Sequence, residues 1–167
     1  MEAKLRLYRQ MLDRKVKEME QAKTVGEFMQ KKKELLLEVV KQMKSFTRDE
    51  EALQIIEELY REIDKRYWYR DEKDERELEE HHVRDVLSWI KESINEAFEK
   101  LSIGEENEME VMIELLSDLL STPACYYCVE NTGCSGCLYA KMHGVCLEYG
   151  SDWRKITDII DKLGEVV

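Results

Sequence analysis

All five cysteines of the chain lie between positions 125 and 146. They read Cys125-x2-Cys128, five intervening residues, Cys134-x2-Cys137, then eight more residues to Cys146. Two residues between thiolates let both sulfurs grip one ion from a single turn of chain, and Gly133, Gly136 and Gly144 permit the tight backbone this demands. Each sulfur must shed its proton to ligate. A dication favours that loss, so a tetrahedral four-thiolate zinc site satisfies charge and geometry together. The candidate ligands are four of Cys125, Cys128, Cys134, Cys137 and Cys146, with His143 as a substitute. The preferred set is Cys125, Cys128, Cys137 and Cys146, or the same set with Cys134 replacing one member; spacing alone leaves the choice open. The gap between the pairs is shorter than the roughly 15–20 residues of a zinc ribbon. A [4Fe–4S] cluster is the alternative cofactor, because it also takes four thiolates at irregular spacing, although the Cys-Pro ending of bacterial ferredoxins is missing. Disulfides rank behind both: the odd count would leave one thiol unpaired, and in a reducing compartment clustered cysteines read as ligands.

Other residues with chemical potential are read as structural. Glu79 and His82 have the i, i+3 spacing of di-iron bundles, with Glu58 or Glu62 as partners on the preceding helix, but that chemistry needs the motif twice and it occurs once. Glu77 with Glu80 and Glu114 with Asp118 are the carboxylate pairs a magnesium-dependent all-α nucleotide hydrolase would use. Among 37 acidic residues such pairs arise by chance, so solvated helix faces are expected. The run Arg66-Tyr67-Trp68-Tyr69-Arg70 suits stacking on bases or a protein hot spot, and is read as rings capping the helix bundle. Tyr126, Tyr127, Tyr139 and Tyr149 are expected to form a small core beneath the metal. Neither a phosphate-binding glycine loop nor a nucleophile constellation is present in the sequence, so catalysis is the minority expectation.

The cysteine pattern, with Cys125-Tyr126-Tyr127-Cys128, Cys134-Ser135-Gly136-Cys137, Gly144, Cys146 and Trp153 on the following helix, resembles a motif of uncharacterised small phage and prophage-type proteins. The resemblance covers about the last quarter of the chain, and Leu138 stands where those proteins commonly carry Pro. It implies metal binding and no particular activity.

The elements that must hold this cluster are helical. Hydrophobic residues make up 43% of the 167 positions and charged residues 38%, and neither Gly nor Pro occurs between Gly26 and Gly104, so long helices meet no breaker there. Leu5, Tyr8, Leu12, Val16 and Met19 recur at helical spacing over residues 2–23. Thr24 with Glu27 predicts a cap for a second helix that ends near Phe46, and Thr47 with Glu50 predicts a cap for a third with Leu53, Ile56, Leu59, Tyr60 and Ile63 inward. A short turn is expected near Arg70 to Asp74, with a helix running through residues 64–80 as the alternative. Val83, Leu87, Ile90, Ile94, Ala97 and Leu101 mark a fourth helix, and Met109 to Leu120 a fifth, stopped by Pro123. A last helix begins at Ser151 or Asp152 and buries Trp153, Ile156, Ile159, Ile160 and Leu163.

The expected fold is all-α: an antiparallel helical bundle over residues 1–120, and over 121–167 a cysteine-rich metal lobe, an irregular insert, followed by a C-terminal helix that packs on the bundle as one unit. No internal repeat is expected. The net charge of −11 opposes nucleic acid as a partner, yet residues 1–33 carry ten basic against five acidic side chains. Those helices either offer a basic stripe to nucleic acid or neutralise the acidic remainder, the second being preferred. No long apolar run and no signal-peptide core are seen, so a cytoplasmic protein without membrane contact is expected. Rich charge with few Asn and Gln fits a thermophile source. The function expected from all this is a zinc-stabilised protein-interaction or regulatory module whose partner is another protein or a second copy of the chain, with an iron–sulfur redox or sensing protein and a magnesium-dependent nucleotide hydrolase as alternatives.

Overall fold

Apolar period and capping chemistry fix the long helices. In the computed structural model, which describes residues 2–69, 71–131 and 133–167, α1 spans Ala3–Glu20 and buries Leu5, Leu12, Val16 and Met19. α2 spans Val25–Met43; its first turn is closed by the Thr24 hydroxyl, which accepts from the Glu27 amide at 3.1 Å. It runs into a 3₁₀ turn at Lys44–Phe46. α3 (Glu50–Arg66), α4 (Glu80–Ile103) and α5 (Glu108–Leu119) follow, and Asn107 caps α5 by accepting from the Glu110 amide. α4 stops at Gly104, whose φ of 76° is left-handed and available to glycine without a Cβ clash. Two short helices, α6 (Tyr126–Glu130) and α7 (Leu138–His143), precede α8 (Asp152–Val166), which the Ser151 hydroxyl caps.

The apolar stripes close on one another, so the fold is all-α with no strand among the described residues. α1 lies on α2 and α4, α2 on α3 and α5, α4 on α5, and α8 on α3. One continuous core results.

Five sequence expectations are corrected. Asp49, not Thr47, caps α3: its carboxylate accepts the Glu51 and Ala52 amides at 2.8 and 3.2 Å, while the Thr47 hydroxyl accepts the Asp49 amide. Between α3 and α4 the chain turns where expected, the Glu72 amide donating to the Tyr69 carbonyl at 3.1 Å, but within an irregular strap over residues 67–79 rather than in a short connection; Arg70 lies outside the described residues. The cysteine region is more regular than an insert, since it holds two units of a 3₁₀ turn followed by a short helix. Tyr149 is 97% exposed and belongs to no core, although Tyr126, Tyr127 and Tyr139 are buried. Trp153 and Ile159, expected inside α8, are half-buried.

The strap is held by the unsatisfied amides at the start of α2. Val25 N–H donates to the Arg76 carbonyl at 3.0 Å and Gly26 N–H to the Asp74 carbonyl at 2.8 Å. Helix and strap approach so closely that a Cβ on residue 26 would lie 2.9 Å from the Asp74 backbone nitrogen. Gly26→Ala must therefore push backbone apart, and it is expected to destabilise the fold by about 1–3 kcal/mol. Urea unfolding monitored by helicity reads this directly; an unchanged midpoint would mean that the strap yields.

Candidate metal centre

Two segments of the lobe fold alike, a local repeat the sequence does not announce, in a register that matches Cys125 with Cys137 rather than one CxxC with the other. A 3₁₀ turn at Thr122–Ala124 leads into Cys125 at the cap of α6, and a 3₁₀ turn at Cys134–Gly136 leads into Cys137 at the cap of α7. Cys125 N–H donates to the Thr122 carbonyl and Cys137 N–H to the Cys134 carbonyl, at 3.1 and 3.2 Å. The Cys125 sulfur faces the amides of Tyr127 and Cys128, and the Cys137 sulfur those of Tyr139 and Ala140. Such amides stabilise a thiolate. Of the three glycines expected to ease the loop, Gly144 alone takes a positive φ, 85°, where α7 ends.

All five cysteines line one cavity of about 90 Å³. Its far wall comes from the bundle: Lys32 of α2, Tyr67 of the strap and Leu120 beyond α5, with Trp153 of α8 at the side. Trp153 is fixed there by its indole N–H, which donates to the Leu120 carbonyl at 2.8 Å. Cys137 is buried, Cys125, Cys128 and Cys146 are half-buried, and Cys134 is exposed at the rim. The set Cys125, Cys128, Cys137 and Cys146 is thus the inner one.

Electrostatics in this cavity hold most of its thiols protonated. The Cys128 thiol donates to Cys125, which draws the Cys125 thiol below its ordinary value against the opposing effect of burial, and the Lys32 charge adds to the same direction. That hydrogen bond, followed by burial, raises Cys128 in turn. Burial raises Cys137, and burial together with the charges of Cys125 and Cys137 pushes Cys146 up to about 12. One thiolate forms readily here. Four would repel one another in a poorly solvated space unless positive charge sat among them.

His143 stands apart from the sulfurs. Its Nδ1 lies 3.0 Å from an Asp152 carboxylate oxygen and its Nε2 3.1 Å from one of Glu72, and it stacks on Tyr139 with centroids 4.3 Å apart. It does not line the cavity. The ring instead ties α7 to the strap and to α8, beside Arg66, which pairs with Glu62 and Asp152. Tyr67 and Trp68 are buried under the lobe and Tyr69 stacks on His143, so this aromatic run covers the bundle end.

Asp74 anchors the strap to the lobe. Its carboxylate accepts from the Arg76 guanidinium at 2.7 Å and from the Tyr127 hydroxyl at 2.9 Å, and Arg76 reaches on to Glu130 at 3.0 Å. Burial opposes the charge of Asp74, but the bonds from Arg76 and Tyr127 outweigh it and hold the carboxyl below its ordinary 3.8. Because the folded value is the lower one, this stabilisation is complete above the unfolded value and vanishes as pH falls through the folded one. Asp74→Asn should flatten the acid limb of a stability–pH curve below about pH 4. An acid limb identical to that of the parent protein would contradict this role.

The remaining candidates are occupied or ill placed. Glu79, His81 and His82 are the group of ligand atoms that lie within 4.8 Å of one another among the described residues. They sit at the start of α4, where the helix dipole disfavours a cation, and Glu79 already pairs with His82 at 2.7 Å. Glu58 pairs with Lys162 and Glu62 with Arg66, so neither completes a di-iron set. Lys100 lies 3.4 Å from Glu114 and 3.6 Å from Glu96, filling the acidic groove that also contains Asp118. Basic side chains of the first two helices meet acidic ones, as in Arg9–Asp13, Lys15–Glu18, Lys31–Glu34 and Lys33–Asp64. No helix is long and apolar enough to cross a membrane among the described residues.

No family model, curated protein or solved structure matches this chain. The cysteine cavity itself carries the functional argument.

Sequence reasoning overlooked Lys32, which is 1% exposed, and the bundle's share of the site. The signal was present: Lys32 falls four residues from both Phe28 and Leu36, on the buried stripe of α2, where a lysine is costly without a partner.

Proposed function

We propose that the lobe holds a [4Fe–4S] cluster on Cys125, Cys128, Cys137 and Cys146, and that the protein is an iron–sulfur redox or sensing protein. The observation that carries this reading is the spread of sulfurs round a cavity of about 90 Å³. Zinc with Zn–S near 2.3 Å would draw four sulfurs to about 3.8 Å from one another. Among the described residues no three cysteine sulfurs lie within 4.8 Å of each other. A four-iron cube places its thiolates on separate metal atoms, and so needs both the wider ring and the volume inside it.

Four thiolates on four irons leave no open metal position for a substrate. Electron transfer or sensing follows more naturally than catalysis, with a protein partner or second copy receiving the signal. Reduced thiols of this kind belong in a reducing compartment such as the cytoplasm. A zinc-stabilised interaction module is the second reading, favoured by the direct Cys128–Cys125 hydrogen bond, which places two sulfurs close together.

Anaerobic purification tests the proposal. Iron and acid-labile sulfide in equal amounts, with a broad visible absorption that bleaches on reduction, are expected. Stoichiometric zinc without sulfide would transfer the assignment to the second reading, and protein free of both metals would end each of them.

A further inference from the structure

A buried lysine beside a cluster of thiols is a costly arrangement with a specific use. Lys32 lies on the inward face of α2, 1% exposed, and lines the same cavity as the five cysteines. Its ammonium donates to the Ala124 carbonyl, in the residue just before Cys125, and lies 5.6 Å from the centre of the Tyr67 ring. No carboxylate faces it at ion-pair distance among the described residues; the acidic groups nearest to act on it are the cysteines, Cys125 before Cys128 and Cys146. Lys33, one position along, pairs with Asp64 at 3.3 Å and supplies the contrast. Burial lowers the Lys32 ammonium below its ordinary value, and the neighbouring sulfurs, Cys125 first, offset that only in part.

We infer that Lys32 is the charge-compensating residue of the thiolate centre: the cation that lines the cavity among the described residues, supplied by the bundle rather than by the lobe, and favouring the more negative state of the metal site. The inference rests on the four-iron reading above. One-electron reduction by an external donor makes such a centre more negative by one charge, and net charge and polar groups near the sulfurs are among the factors that set its potential. In a poorly solvated space a fixed positive charge on the cavity wall stabilises the reduced form more than the oxidised form. Lys32 also ties the centre mechanically to α2 through Ala124, so a change of charge at the sulfurs is felt at a long bundle helix.

The test is a potentiometric titration of the full-length protein, purified anaerobically, with Lys32→Met, Lys32→Gln, Lys32→Arg and Lys33→Met compared at equal iron content. Lys32→Met and Lys32→Gln are expected to shift the midpoint to more negative values, whereas Lys32→Arg and Lys33→Met stay near the parent. Gln retains a donor for the Ala124 carbonyl without the charge, so a Gln variant that titrates with the parent would overturn the inference. Should the neutral variants fail to assemble iron while Lys32→Arg succeeds, charge compensation is needed even earlier and the inference stands. Failure of Lys32→Arg as well would assign the position to packing and overturn it. Iron-free parent protein would instead bring down the cluster reading itself, a result distinct from any of these.

Discussion

Serine in place of Cys125, Cys128, Cys137 or Cys146 should remove the bound metal almost completely, while Cys134→Ser retains it near the parent level. The asymmetry follows from position. Cys125 and Cys137 each cap a short helix and take backbone amides on their sulfurs, Cys128 donates to Cys125, and Cys146 is half-buried against the same space. Cys134 lines the cavity from its exposed rim, in the 3₁₀ turn that precedes Cys137. An alcohol is a far poorer ligand than a thiolate and stays protonated at neutral pH, so each inner serine leaves one metal position unfilled. Metal content after anaerobic purification, together with the visible spectrum, reads the series. Loss on Cys134→Ser with retention in one of the other four variants would exchange the two residues between ligand and rim.

Removing the metal from the parent protein should unfold the lobe and spare the bundle. Residues 122–146 consist of two 3₁₀ turns and two helices of five and six residues, far below the length at which an isolated helix persists. Tyr139, whose buried hydroxyl has no hydrogen-bond partner in the protein, lines the cavity with the sulfurs. α1 to α5 and α8 bury their apolar stripes against one another and do not need the centre. Chelation under reducing conditions is therefore expected to speed amide exchange across residues 122–146 by more than about a hundredfold, equivalent to about 3 kcal/mol of local stability. Exchange in α1 and α3 should hardly change. Uniform acceleration over the whole chain would mean instead that lobe and bundle unfold as one unit.

Much of the fold is legible in the sequence because local rules act alone there. The spacing of Leu5, Leu12, Val16 and Met19, and of Leu87, Ile90, Ile94 and Ala97, can be satisfied only by helices with one buried face. Thr24 caps as the capping pattern predicts. Where several polar residues compete within a few positions, the outcome turns on geometry: Asp49 displaces Thr47 because it sits directly before the first helical residue. The strap was illegible for a different reason. Residues 67–79 carry no periodicity, and their path is dictated by partners remote in sequence, namely the free amides of Val25 and Gly26, the Tyr127 hydroxyl and His143.

The candidate site divides along the same line. The cysteine spacing locates the sulfurs and marks Cys134 as interchangeable with an inner residue; exposure, a tertiary property, puts it at the rim. His143 has the chemistry of a ligand, yet its two ring nitrogens face Asp152 and Glu72. Lys32 and Tyr67 reach the cavity from α2 and the strap, about ninety and sixty positions before the first cysteine, where no local pattern could link them to it. What distinguishes one zinc ion from four irons is likewise a distance between sulfurs, which a spacing of residues constrains only loosely.

The most direct test is X-ray absorption at the metal edge of the anaerobically purified protein, because it measures the environment of the metal itself. The cluster account predicts an iron edge with a sulfur shell and a second shell of neighbouring iron atoms. A zinc edge with a single sulfur shell at about 2.3 Å and no metal neighbour would contradict it.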